Sequence, residues 1–566
     1  MRKKLIALLM AAMMLLSLAA ACGNEPAPTP DPAPSTDPTP APTPADPTPA
    51  PADPTPAPAD PTPADPDADK YGGDLVIAVG SGPNTMDPHH SGGSTANYQW
   101  MQNIFEPTIS MGSDGQFYPM TCDFEYAEDG STLKLWVVEG KKFSDGTPVT
   151  IEDVMASWER VSAMGGAFAT KVMDNVTEIK IEGDTATVYF SKMNPTMMEE
   201  IADARGAGYI IPKAICEKYG AEKIDNIEDV IGSGPYKLEV YEPTVEVKLS
   251  RNDNYVITNN DAPGLAAPKK AFVDTITYSI NGDTASRTAA MIAGEYHVGS
   301  ILTDMQAHAD KVGLKSVLQY NQWTHACFFN LDPSNADSPV ADVNFRKAFR
   351  AALDMKAIML SIMSGAEERI DMNISPIPTN NTAYYNDILE KTDYNVADVE
   401  LAKEYLAKTD YNGEPIVWLT PASGSFYRAA VAASQSLEKV GIMVEIKTVD
   451  SGSHSAMRAD PATGHDIGAW EVQKAASNPF ASTSLTGQGA GWWASDKKTE
   501  LLGVLGSTPT GSKESVQAYQ ELCQLIADEV PWVGFGTAIS KTYTAANFEM
   551  NYEGMITYYW NSYFTK

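Results

Sequence analysis

Glu152 and Asp153 are adjacent carboxylates that follow a Ser-Asp-Gly turn in KKFSDGTPVTIEDVMASW, Lys141 to Trp158. Paired acids of this kind can hold a cation or move a proton. Their positions also satisfy a purely local requirement. Thr150 with Asp153 three residues on has the spacing of a capping box, and Val149 with Val154 that of a hydrophobic staple. Both acids then fall in the first helical turn, where the backbone dipole favours negative charge by about 0.3–1 kcal/mol. The stretch predicts a turn and a helix start, and architecture accounts for every polar residue in it.

The other candidates for chemistry are scattered. His89, His90 and His465 belong to a set of 7 histidines without metal-ligand spacing, so no metal site and no cofactor are expected. No G-x-S-x-G, H-E-x-x-H or Ser-x-x-Lys set stands in a fitting context, and SGSF at Ser423–Phe426 lacks the frame of a nucleophile elbow. The abundance of Asp and Glu keeps one enzyme reading open, a secreted cell-wall hydrolase using a carboxylate pair. Cys122, Cys216, Cys327 and Cys523 are far apart, with no C-x-x-C, and read as buried apolar residues. For binding, the SGGST loop offers the hydroxyls of Ser94 and Thr95. Trp492 and Trp493, in a glycine-rich stretch, read either as stacking surfaces or as core.

These residues need a scaffold. Short β-rich runs occur at Leu75–Val79, Ile179–Ile181, Thr187–Phe190, Val245–Leu249, Ile276–Ile280, Ile416–Leu419 and Met443–Val449. Helical spacing links Phe345, Ala348, Phe349, Ala352 and Leu353, with Asp342 or Asn344 as N-cap, and predicts two more helices over Val396–Leu406 and Ala429–Val440. The mixture, in 566 residues, predicts an α/β protein of several domains. A formal net charge of -32 argues against nucleic acid as a partner.

The N-terminus is organised differently. Arg2, Lys3 and Lys4 precede the apolar run Leu5–Leu18, and Ala19, Ala20 and Ala21 precede Cys22, which reads as a secretory signal. Small residues followed by Cys-Gly resemble the lipobox of bacterial lipoproteins. That resemblance implies cleavage after residue 21 and lipidation (palmitate) of Cys22, hence a chain anchored on the outer face of the cell membrane. From Glu25 to Asp69 the chain is almost entirely Pro, Ala, Thr and Asp, with ADPTPA recurring at Ala45, Ala52 and Ala59. Such a composition cannot bury a core and favours extended polyproline II, a tether over residues 22–70 with a reach on the order of 100 Å.

LWVVEGKKFSDGTPVTIEDVMASWERV resembles the signature of the family 5 extracellular solute-binding proteins, the oligopeptide- and dipeptide-binding lipoproteins of ABC importers. TMDPHH, NIFEPTI, IGSGPYKL, RNDNY, IAGEYHVG and VNFRKAFRAALDMKAIM resemble further motifs of that family in the same chain order. The resemblance implies a periplasmic-binding-protein-like (type II, cluster C) clamshell of two α/β lobes joined by crossing strands. Lobe I would comprise residues 71–105, 227–322 and 532–566, with an extra α/β subdomain over 106–226, and lobe II residues 323–531. Trp323, just before the crossing, reads as core. The resemblance further implies a non-enzymatic monomer that captures oligopeptides or dipeptides and delivers them to permease and ATPase subunits. An oligosaccharide or a nickel chelate is the alternative solute. A receptor co-component that feeds no permease is another reading of the same lobes.

Peptide binders of this family often hold the ligand's ammonium group with an Asp in a Trp-x-x-Asp…Pro segment. The matching stretch is DIGAWEVQKAASNPF, Asp466–Phe480, which brings Trp470, Glu471, Gln473 and Asn478 into the expected ligand site. Gln473 stands where the Asp is expected and Lys474 follows it, a poor pair for an ammonium; with a shift of register Glu471 would take the place of that Asp.

Overall fold

The structure, a computed structural model, describes residues 66–566 except 93, 193, 259–260, 476, 483–484, 486–490 and 553–556. The signal, Cys22 and nearly all of the proline-rich stretch lie outside the described residues. Among the described residues the main sheet has eleven strands. One end holds Val444–Val449, Ile416–Pro421 and Ile467–Gln473, mutually parallel, flanked by the helix Ser425–Glu438. The other holds Val298–Gly299, Asp74–Val79, Thr275–Ile280, Glu246–Arg251 and Tyr236–Glu242.

Two long antiparallel strands, Lys315–Phe329 and Trp532–Thr544, join the ends. Lys315–Tyr320 opposes Ile539–Thr544 beside Val298–Gly299, while the Phe329 end pairs with Ile467–Gln473. Between Tyr320↔Ile539 and Thr324↔Thr537, residues 321–323 face only Ala538. Extra residues on one strand kink and twist a ladder, and this irregularity lies where one lobe's sheet gives way to the other's. The two-lobe α/β architecture implied by the resemblance is therefore present. The short runs read from sequence fall within strands, except that Val245 and Met443 lie just outside; all of these strands but Val444–Val449 extend one to three residues further at one or both ends.

A separate antiparallel sheet, in the order Cys122–Tyr126, Thr132–Val137, Thr185–Phe190, Val176–Glu182, packs on the helix Ile151–Ala163. That helix starts as the sequence predicts. Thr150 N–H donates to Asp153 Oδ2 at 2.8 Å, Asp153 N–H donates to Thr150 Oγ1 at 3.4 Å, and Asp153 Oδ1 also accepts from Lys213 N–H at 2.7 Å. Thr150→Ala is expected to destabilise this body by about 1 kcal/mol, the usual loss of an N-cap, read as a lower urea midpoint.

The motif residues converge, and they do so on joints of the scaffold. Glu106, from NIFEPTI, is fully buried; its Oε2 lies 2.6 Å from Lys141 Nζ and its Oε1 3.5 Å from Lys269 Nζ, with Tyr255 O–H donating to Oε1 at 3.1 Å. Lys141 comes from the KKFSDG stretch and Tyr255 from RNDNY. Ser144 N–H donates to Gly232 O at 2.8 Å and Tyr236 N–H to Asn103 O at 2.9 Å. A Cβ on Gly232 would sit 2.1 Å from Ile104 O, so the GSGPY glycines permit a backbone approach that no other residue allows. In VNFRKAF, Arg346 donates to Val340 O, Ala341 O, Glu529 O and Val530 O, satisfying carbonyls at the C-terminus of the helix Lys513–Glu529. Cys122, Cys216, Cys327 and Cys523 are buried free thiols, as their spacing predicts.

Candidate ligand-binding cleft

Where the long strands cross, a cavity of about 780 Å³ opens between the two ends of the main sheet. Its walls are contributed by several separate parts of the chain. The end of the strand Asp74–Val79 runs into Gly80 and Ser81, and the short helix Thr95–Met101 adds Thr95, Tyr98 and Gln99. Ser540 and Thr542 come from one face of the crossing strand, as alternation along a strand requires. The helix Met197–Ile201 and the turn after it supply Glu199, Asp203 and Arg205. Lys474 and Ala475, just past the strand Ile467–Gln473, close the opposite side.

The two lining carboxylates are both engaged. Asp203 Oδ1 accepts from Arg205 Nε at 2.9 Å, and this acid raises the guanidinium's affinity for its proton. Glu199 Oε1 accepts from the Ser477 hydroxyl and from Asn478 N–H at 3.2 Å, joining a helix beside the four-stranded body to the segment after Ile467–Gln473. Desolvation pushes the Glu199 carboxyl up to about 7, against the opposing pull of those two donors. Lys474 is 6% exposed, and burial lowers its ammonium to about 8. Its Nζ donates to Asn373 Oδ1 at 2.9 Å and makes no ion pair among the described residues. The arrangement offers hydroxyls, main-chain groups and a cation with no carboxylate at ion-pair distance among the described residues, around a recess: equipment for holding a solute.

The residues singled out from sequence divide. Thr95 lines the cleft, and Ser94 sits exposed as N-cap of the same helix without a side-chain capping bond. Asn478 is fully buried: its Oδ1 caps Phe480 N–H at 2.9 Å and its Nδ2 donates to Thr510 at 2.9 Å, so its side chain is structural while its backbone N–H meets Glu199. Glu471 pairs in register with His325 and points to that neighbour. Glu471 Oε1 lies 3.3 Å from His325 Nδ1 without hydrogen-bond geometry, and burial holds the ring near pKa 4, so this is not an ion pair at neutral pH. Trp470 and Gln473 lie on the strand Ile467–Gln473, with side chains outside the described residues.

The tryptophans separate. Trp493 is core: it is 7% exposed, its Nε1 donates to Glu529 Oε2 at 2.6 Å, and Lys498 Nζ covers the ring 4.6 Å from its centroid. Trp492 has φ 53° and faces His465, ring centroids 6.0 Å apart. Trp323, expected in the core, is only half-buried and lines the cleft, because the crossing strand carries it past the lobe junction. Glu199, Asp203, Arg205 and Tyr98 carried no motif; their shared signal is three-dimensional, since they meet only after the four-stranded body docks. His89, His90 and the acids Glu152 and Asp153 are not among the lining residues.

Residues 117–494 match the model of the bacterial extracellular solute-binding proteins, family 5 Middle. The chain is 23% identical over 482 residues to the probable D,D-dipeptide-binding periplasmic protein DdpA of Escherichia coli K12, covering 81% of this chain and 87% of that one. It is 22% identical over 479 residues to the glutathione-binding protein GsiB of Salmonella typhi, covering 81% and 88%. Among solved structures, the ABC transporter substrate-binding protein CtaP of Listeria monocytogenes superposes with a TM-score of 0.73 at 19% identity, over 88% of this chain and all of that one. The oligopeptide-binding protein AppA of Bacillus subtilis, in complex with a nonapeptide, gives 0.64 at 19% identity, over 88% and 100%.

Proposed function

Because the chain belongs to the bacterial extracellular solute-binding proteins of family 5, we propose that it captures short peptides in the cleft between its lobes and hands them to the permease and ATPase of an ABC importer. The observation that carries this reading is the cleft itself. Its volume of about 780 Å³ falls in the range of roughly 300–1,000 Å³ usual for small-molecule sites. Its lining of strand-end backbone and the hydroxyls of Thr95, Ser540 and Thr542 suits a peptide main chain. The relatives named for a dipeptide and for glutathione support the same class.

The domain assignment that goes with this reading is lobe I over 71–105, 227–322 and 532–566, the extra subdomain over 106–226, and lobe II over 323–531. Ligand would shift an open–closed equilibrium of the two lobes by binding the closed form better. The protein acts as a monomer and a receptor, not an enzyme. Lipidation at Cys22 holds it on the outer face of the cell membrane, with the proline-rich tether as spacer. Cys22→Ser is expected to release the protein into the soluble fraction, checked by fractionation and immunoblot; undiminished membrane retention would refute the anchor.

A screen of thermal midpoints with peptide, oligosaccharide and metal-chelate pools tests the solute class. Peptides are expected to raise the midpoint by mass action. A rise with oligosaccharides alone would replace peptides by sugars, a reading to which Gln473 in place of an acid and the half-buried Trp323 lend support.

A further inference from the structure

Resting on that reading, we propose that Lys474 anchors a carboxylate of the ligand, so that the cleft recognises its peptide by a negative charge at the C-terminus. Of the two cations that line the cleft, Lys474 is the one without a carboxylate at ion-pair distance among the described residues. Asp203 and Arg205 neutralise each other, and Glu199 is occupied by Ser477 and Asn478. In a chain of net charge -32 the recess thus presents a cation without a carboxylate at ion-pair distance among the described residues. Asp371 and Glu390 act on it only from further away: Asp371 Oδ1 accepts from Asn373 N–H at 3.0 Å, and Glu390 Oε1 from Ile374 and Ser375 N–H at 2.9 and 3.1 Å.

A buried ammonium with no ion partner costs free energy that the apo fold does not recover. An anion arriving in the cleft recovers it, and the ammonium is held ready for one. Asn373 Nδ2 donates to Tyr385 at 3.0 Å, which fixes its amide so that Oδ1 faces Lys474; Asn373 O accepts from Thr537 at 2.9 Å. An ammonium has three donors. Asn373 Oδ1 takes one at 2.9 Å and its carbonyl a second at 3.5 Å, leaving the third without an acceptor among the described residues, on a residue that lines the cleft. The backbone register places Trp323 opposite Gln473, one residue from this cation. An ammonium-seeking subsite would put an acid here; this one repels a peptide's N-terminus and attracts its C-terminus.

The test uses the full-length protein in detergent with three pools of di- and tripeptides built from uncharged side chains: free acids, C-terminal amides, and amides carrying one Glu. Free acids are expected to bind and the plain amides to bind 10–100-fold more weakly by calorimetry. Binding of the Glu amides like the free acids would place the recognised carboxylate on a side chain and overturn the C-terminal assignment. Lys474→Met should lose 10–100-fold for free acids and nothing for plain amides; Lys474→Gln, which can still donate to Asn373, should give the same loss if the Met variant does not fold. Equal binding of acids and amides, or wild-type affinity in both variants, overturns the carboxylate anchor while leaving peptide capture intact. Failure of every peptide pool to bind overturns peptide capture itself, and the anchor with it.

Discussion

Replacing Asp87 by Asn is expected to destabilise the protein by about 3–5 kcal/mol, the cost of leaving a buried charge without its partner. Asp87 is fully buried and lies in TMDPHH, at the start of a short turn of helix. Arg160 grips it from the helix Ile151–Ala163, Nη1 to Oδ1 at 3.0 Å and Nη2 to Oδ2 at 2.5 Å. Ile224 N–H donates to Oδ2 at 3.0 Å, His89 N–H to Oδ1 at 2.9 Å, and His90 Nδ1 lies 3.0 Å from Oδ2. Three distant stretches are tied by one carboxylate. Burial alone would raise its pKa, yet the Arg160 fork and the Ile224 N–H hold it down at about 2. A depressed carboxyl contributes stability above its unfolded value near 4, and that contribution is lost as pH falls from about 4 through 2. Urea unfolding of wild type and Asp87→Asn at pH 7 and pH 3 checks both points. The gap between the two proteins should narrow at pH 3; a variant within 1 kcal/mol of wild type at pH 7 would refute the assignment.

Asp87, Glu106, Lys141 and Arg346 illustrate what the sequence reveals and what it conceals. They stand in the motifs that make the family legible, and the structure places them at joints where lobes, subdomain and helix ends meet. Local rules explain their visibility: a capping box, a glycine that admits a neighbouring carbonyl and a buried ion pair each constrain residue types at fixed spacing. The cleft has no such local grammar. Glu199 shares a recess with Lys474 only because the helix Met197–Ile201, beside the four-stranded sheet, meets the chain just past the strand Ile467–Gln473. Trp323 was misplaced for a related reason. A strand of 15 residues crosses from one lobe to the other, and apolar alternation alone does not tell where it leaves the core for the cleft. For Trp493 the glycine-rich context leaves stacking surface and core both open, and only the fold decides: Glu529, at the end of a helix that starts twenty residues later, accepts from its indole nitrogen and holds it in the core.

Ligand affinity is expected to weaken as pH rises from 5 to 8, and Glu199 is the group that sets the slope. In the present arrangement its carboxyl bridges the cleft to Ser477 and Asn478 and is pushed up to about 7, chiefly by desolvation, with Lys171 pulling it down and Glu200 pushing it further up. Separation of the lobes would return it to water and to an ordinary value near 4.5. The closed form therefore holds a proton that the open form releases across this window. An acid with a raised pKa favours its buried state most below the ordinary value, and the advantage is lost as pH rises through the raised one. Closure, and with it affinity, should fall on the order of 10–100-fold between pH 5 and pH 8, below the ceiling of about tenfold per pKa unit of difference. Glu199→Gln keeps an acceptor for Ser477 and Asn478 but cannot titrate, so its affinity should stay level from pH 5 to pH 7. Calorimetric titration of both proteins across this range is decisive. A flat wild-type profile, one that rises with pH, or an undiminished slope in Glu199→Gln would remove Glu199 from the closing mechanism. Lys474 titrates near 8 and adds its own loss above pH 7, so the contribution of Glu199 is read from the difference between the two proteins between pH 5 and pH 7.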